Sequence, residues 1–158
     1  MKNIKLEICF KSLSYDELPE CDKRLIDSAI EAALKSYAPY SKFGVGAAAL
    51  LDNGVVVCGS NQENAAYPSG ICAERTTLFY ANATYPDIPV NTLAVAARNS
   101  EGFIDTPIPP CGGCRQVMIE VEQRFGKPIR ILLYSTKEIY ELFGVKSLLP
   151  LQFGQEFL

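Results

Sequence analysis

Two short cysteine motifs limit what this chain can fold into more than any other feature. Cys72-Ala73-Glu74 and Pro110-Cys111-Gly112-Gly113-Cys114 together supply three thiolates and one carboxylate. If they serve one ion, the fold must bring two segments that are distant in sequence together. Three protein ligands leave the fourth tetrahedral position of a zinc ion open for water. A glutamate two residues after the first ligand is placed to move protons for that water. The chain has six Cys and no His. That excludes a Ser-His-Asp triad, a Cys-His nucleophile pair and a His-rich metal site. Any acid–base catalyst must be Glu, Asp, Lys, Tyr or Cys.

A length of 158 residues, 48% of them apolar, suits one globular domain with a real core. No apolar run approaches the roughly 20 residues that span a bilayer. In Met1 to Phe10, Lys2, Lys5 and Glu7 alternate with Ile4, Leu6 and Ile8. That pattern predicts a strand rather than a secretory signal, so a cytoplasmic protein is expected. Six Cys without a signal point to thiol or metal chemistry, not disulfides. The net charge is −3 and the basic residues are scattered. A nucleic-acid polymer is therefore a poor partner and a small neutral molecule a better one.

Residues 3–10 read as a first strand. Asp16 is placed to cap the following helix, whose apolar positions Leu25, Ile26, Ala29, Ile30, Ala33 and Leu34 recur at helical spacing over 19–37. Residues 43–51 and 55–58 flank Asp52-Asn53-Gly54 and predict a type I′ hairpin. Helices are expected over 72–82 and 112–124, strands over 93–97 and 129–134, and short helical segments over 137–142 and 145–149. Alternating strands and helices in the second half argue for parallel strands covered by helices.

Cys111 and Cys114 lie i, i+3 at a helix start and share a face. Cys72 also opens a helix, so two helix N-termini would converge on one ion and favour thiolates. Three thiolates leave a zinc site with one net negative charge. Arg75 lies three residues after Cys72, on the same helical face, where it would donate hydrogen bonds to the thiolates. Two other readings stand beside this one: a redox Cys-x-x-Cys pair, and a structural Cys₄ site drawing on Cys9, Cys21 or Cys58. All three of those cysteines read as buried, small apolar side chains.

At these motifs the chain resembles the cytidine deaminases of the small homotetrameric type. The resemblance extends to Tyr40 to Ala48, Asn61 to Tyr67, Arg115-Gln116, and Leu148-Leu149-Pro150 with Phe153. Together these cover about residues 25–153. The resemblance implies a three-layer α/β/α fold with a mixed five-stranded sheet over residues 19–158. Residues 1–18 then form an N-terminal extension without an assigned role. It further implies one zinc per subunit and a homotetramer with shared active sites. By the same resemblance Phe43 packs on the pyrimidine, and Asn61 and Glu63 hold the ribose 3′-hydroxyl. The Ala73 N–H holds the base O2, and Phe153 reaches a neighbouring subunit's base.

The chemistry expected is hydrolysis of cytidine and deoxycytidine to uridine and deoxyuridine with release of ammonia. Glu74 takes a proton from the zinc-activated water, delivers one to N3 and helps protonate the departing amine. A blasticidin-type deaminase shares the zinc motifs; Asn61, Glu63 and Arg75 favour the nucleoside enzyme. A non-catalytic zinc module is the alternative from another class.

Overall fold

The computed structural model describes all of residues 1–158. The elements in chain order are β1 (Lys11–Leu13), α1 (Glu20–Leu34), β2 (Gly44–Leu51), β3 (Val56–Ser60), α2 (Ala73–Thr84), β4 (Val90–Asn99), β5 (Gly102–Phe103), α3 (Gly112–Phe125), β6 (Arg130–Tyr134) and β7 (Ile139–Phe143). One sheet runs β1-β7-β6-β4-β2-β3, with β5 paired to β4. Only β4 and β6 pair in parallel; every other pairing is antiparallel.

Strand alternation sorts the core into two layers. Ala47, Ala49, Leu93, Val95, Ile131 and Leu133 face α2 and α3. The residues between them, Ala48, Ala94, Ala96 and Leu132, face α1 and meet Leu25, Ile26 and Ala29. The central strands are therefore apolar at nearly every position, because both faces of the sheet are covered. A Cβ at Gly46 would lie 2.1 Å from the Ala29 carbonyl oxygen, so α1 packs almost directly on the β2 backbone. The α/β/α layering matches the expectation.

Several expected elements change. The sheet has seven strands, not five. Residues 3–10 form no strand; pairing is confined to Lys11↔Glu141, Ser12↔Tyr140 and Leu13↔Ile139. Just before that short ladder, Phe10 lays its ring on Tyr140, with centroids 4.8 Å apart. Asp16 does not cap α1: it sits in a 3₁₀ turn over Tyr15–Glu17, and Pro19 is the N-cap residue. Residues 139–143 are a strand, not a helix. The Ser135 hydroxyl accepts the N–H groups of Lys137 and Glu138, closing a hairpin that folds β7 back on β6. That hairpin makes the second half mixed rather than parallel. The Asn53-Gly54 turn forms, but only Gly54 takes a positive φ, of 83°, so it is not type I′. β5 is a two-residue return on β4 too short to leave a pattern in the sequence.

Candidate active site

Cys72 is the N-cap residue of α2 and Cys111 that of α3. Both helices pack in the same layer. This brings Cys72, Cys111 and Cys114 together, with all three Sγ atoms within 4.8 Å of one another. Cys72 Sγ lies 3.8 Å from Cys111 Sγ, and Cys111 Sγ lies 3.5 Å from Cys114 Sγ. In a tetrahedral zinc–thiolate site with bonds of about 2.3 Å, neighbouring sulfurs stand about 3.8 Å apart. The donor set therefore fits zinc in both chemistry and spacing. No fourth cysteine and no carboxylate belongs to the cluster. Cys9, Cys21 and Cys58 are elsewhere and exposed, contrary to the expectation that they would be buried. Cys58 lies on an outward position of β3, between buried Val57 and half-buried Gly59.

The electrostatics favour thiolate at the first ligand. The Cys72 thiol is drawn down to about 5, chiefly by a hydrogen bond from Cys114 and further by Arg75. Cys114 is correspondingly pushed up by that bond and by its burial. Arg75 Nη2 donates to Cys72 Sγ at 3.8 Å, while Arg75 Nε is buried without a partner. Glu74, in the first turn of α2, is 4% exposed. Its burial, with the Cys72 charge beside it, raises the carboxyl above its ordinary value. Ala73 is fully buried as the first residue of α2, where a backbone N–H has no partner within the helix.

A cavity of about 580 Å³ opens next to Cys72 and Arg75 and is lined also by Tyr40, Asn61, Glu63 and Tyr67. Asn61 and Glu63 both reach it because residues 61–63 are extended: Gln62 bridges to Tyr37 on one side and Ile71 on the other. The Asn61 amide also holds the start of β2. Its Oδ1 accepts Val45 N–H at 2.7 Å and its Nδ2 donates to the Phe43 carbonyl at 2.9 Å. Glu63 Oε2 accepts the N–H groups of Tyr40 and Ser41 at 2.9 and 3.3 Å. Hydrogen bonds from Ser41 and Tyr40 hold its carboxyl below the usual range. Neither Phe43 nor Phe153 lines this cavity. Phe43 is half-buried, and Phe153 is 59% exposed and stacks on Phe157 at 5.7 Å.

Sequence reasoning missed the clamp made by Arg115 and Gln116. Arg115 Nε donates to the Pro110 carbonyl at 2.7 Å and its Nη1 donates to the Leu148 carbonyl. Gln116 Nε2 donates to the Phe153 carbonyl at 2.9 Å. Residues 115 and 116 directly follow the cysteine cluster, but nothing local shows that Leu148 and Phe153 are among their partners.

The sequence model of the cytidine and deoxycytidylate deaminase zinc-binding region matches residues 19–125, which include the whole cysteine cluster. This chain belongs to the cytidine deaminase family. A cytidine deaminase from Sporosarcina psychrophila is 39% identical over 136 residues, covering 86% of this chain and 93% of that protein. One from Halalkalibacterium halodurans is 48% identical over 99 residues, 61% of this chain and 69% of that one. The crystal structure of cytidine deaminase from Burkholderia pseudomallei superposes with a TM-score of 0.71 at 39% identity, covering 82% of this chain and 97% of the other. The family and the donor set together identify a zinc-binding deaminase domain. No helix is long and apolar enough to cross a membrane.

Proposed function

We propose that the protein hydrolyses cytidine and deoxycytidine to uridine and deoxyuridine, releasing ammonia. The observation that carries this reading is the burial of Glu74 directly after the helix start that presents Cys72 to the other two thiols. Cys72, Cys111 and Cys114 would hold zinc, which would supply an activated water as the nucleophile for C4. Glu74 would accept one proton from that water and give it to N3, then take a second from the hydroxyl now on C4 and give it to the 4-amino group as the C4–N bond breaks and the C4 carbonyl forms. One carboxylate can serve both relays because the attacking oxygen, N3 and the amine are neighbours around C4. The Ala73 N–H, at the positive end of α2, holds the base O2.

Asn61 and Glu63 bind the ribose 3′-hydroxyl at the cavity wall. Glu63 suits this role because two backbone N–H groups fix its carboxylate and keep it an acceptor. Phe43 follows Lys42, whose φ of 57° turns the chain ahead of β2; it lies outside the cavity of the single chain, and its contact with the pyrimidine rests on the family resemblance. Phe153 is exposed and away from its own chain's cavity, which fits a role in a neighbouring subunit's site. We infer a homotetramer with shared sites, working in the cytoplasm, where free thiols persist. Ultraviolet monitoring of cytidine loss, with zinc quantified in the same sample, tests the activity. Zinc-loaded protein that leaves cytidine intact sinks it, and light scattering from an active monomer sinks the shared sites.

A further inference from the structure

We propose that the N-terminal arm, residues 1–10, is a positioning strap: it roofs the Arg115 clamp and thereby fixes the zinc loop, residues 107–111, against the C-terminal segment that carries Phe153. The arm lies outside the region matched by the family model, which begins at residue 19. It is anchored at one end by β1, where Lys11 Nζ also pairs with Glu141 at 3.0 Å. From there Phe10 packs on Tyr140. Ile8 and Phe10 border a cavity of about 430 Å³ whose other walls include Pro107, Pro109, Arg115 and Leu148. Leu6 and Ile8 border a second cavity, about 420 Å³, with Leu149 and Pro150. Across these two cavities the arm faces both segments that the clamp joins.

Arg115 makes the joint. It bonds the carbonyl of Pro110, the residue before Cys111, and the carbonyl of Leu148, at the head of the C-terminal segment. Gln116 holds the same segment further on, at Phe153. Charge-assisted hydrogen bonds of this kind strengthen as water is excluded. The apolar side chains of Ile8 and Phe10, at 49% and 51% exposure, wall the cavity over these bonds and limit the water that reaches them. The strap therefore acts on the reaction through the zinc loop and Phe153, not through the substrate; its kinetic consequence rests on the function proposed above.

The test uses two variants of the zinc-loaded enzyme: the double substitution Ile8→Ser with Phe10→Ser, and a chain lacking residues 1–9 that keeps β1. Amide hydrogen exchange is the readout independent of activity. Exchange over 107–116 and 148–153 should quicken by about tenfold, while α1 and β2 stay protected. KM for cytidine should rise about tenfold, with kcat within about twofold of the parent, zinc per subunit unchanged, and Phe10→Tyr restoring the parent value. Unchanged exchange in those segments, or equal quickening throughout the sheet, overturns the strap. If the truncated chain does not fold, the double substitution decides alone. A parent protein that fails to deaminate cytidine defeats the proposed function and leaves the exchange test standing.

Discussion

Arg75 Nη2 stands 3.8 Å from Cys72 Sγ, one turn further along the helix that the cysteine caps. With zinc bound, three thiolates would leave the site with one net negative charge, and the guanidinium would offset it. Partners that hydrogen-bond a ligand typically contribute 10–100-fold in metal affinity or activity. Arg75→Ala should therefore weaken zinc binding or turnover by about that factor. Chelator competition and steady-state rates measured together check it; wild-type values of both would remove the role.

Glu74→Gln keeps the size and burial of the side chain but not its proton transfer. Turnover should fall by at least about 100-fold. Zinc content should stay at one per subunit, and Tm should hold or rise, since a buried ionisable group has been neutralised. Kinetics, metal analysis and a melting curve on one preparation separate these effects. A variant that retains turnover excludes Glu74 as the shuttle.

Asn61 has two tasks, and its replacement should show both. In Asn61→Ala the Phe43 carbonyl and Val45 N–H lose their side-chain partners. That should cost about 1–3 kcal/mol of stability by denaturant unfolding. KM for cytidine should rise as well, because the ribose loses one of its two acceptors. A stability loss without a change in KM would make Asn61 purely a latch for β2.

The clustering of the three thiols was legible because their spacing along the chain is that of a metal-binding motif. Helix starts at Cys72 and Cys111 follow from local signals, and two helices starting side by side in one layer then bring the thiols together. The β7 hairpin was not legible. Ile139, Leu142 and Phe143 stand at helical spacing, and only the Ser135 turn and the free edge of β6 decide for a strand. The strand expected over 3–10 failed for a related reason: a strand needs a partner, and the alternation of Ile4, Leu6 and Ile8 says nothing about which edge is available. The long-range partners of Arg115 and Gln116 were hidden in the same way. A side chain's hydrogen-bonding capacity is written in the sequence, but its partner is set by tertiary packing.

A buried ion network closes the sheet edge and sets a pH limit on the fold. Arg130 grips Asp22 through two nitrogens at 2.8 and 2.6 Å and Glu141 through Nε at 2.6 Å, with Lys11 on the far oxygen of Glu141. Asp22 and Glu141 are 4% and 5% exposed. Burial alone would raise the Glu141 carboxyl, but Lys11 and Arg130 outweigh it and hold the group below its usual value. A carboxylate held low when folded adds stability that is complete above its unfolded pKa, near 4.3, and is lost as the pH falls through the lowered value. The Tm gap between the parent and Glu141→Gln should therefore be widest near pH 6 and narrow below about pH 4. Comparing the two proteins cancels the acid release of zinc, which both suffer. A gap that does not change with pH would show that the ionised carboxylate is not its source. Arg130→Met, which leaves both carboxylates buried without their shared partner, should cost about 3–5 kcal/mol at neutral pH and recover part of it in acid.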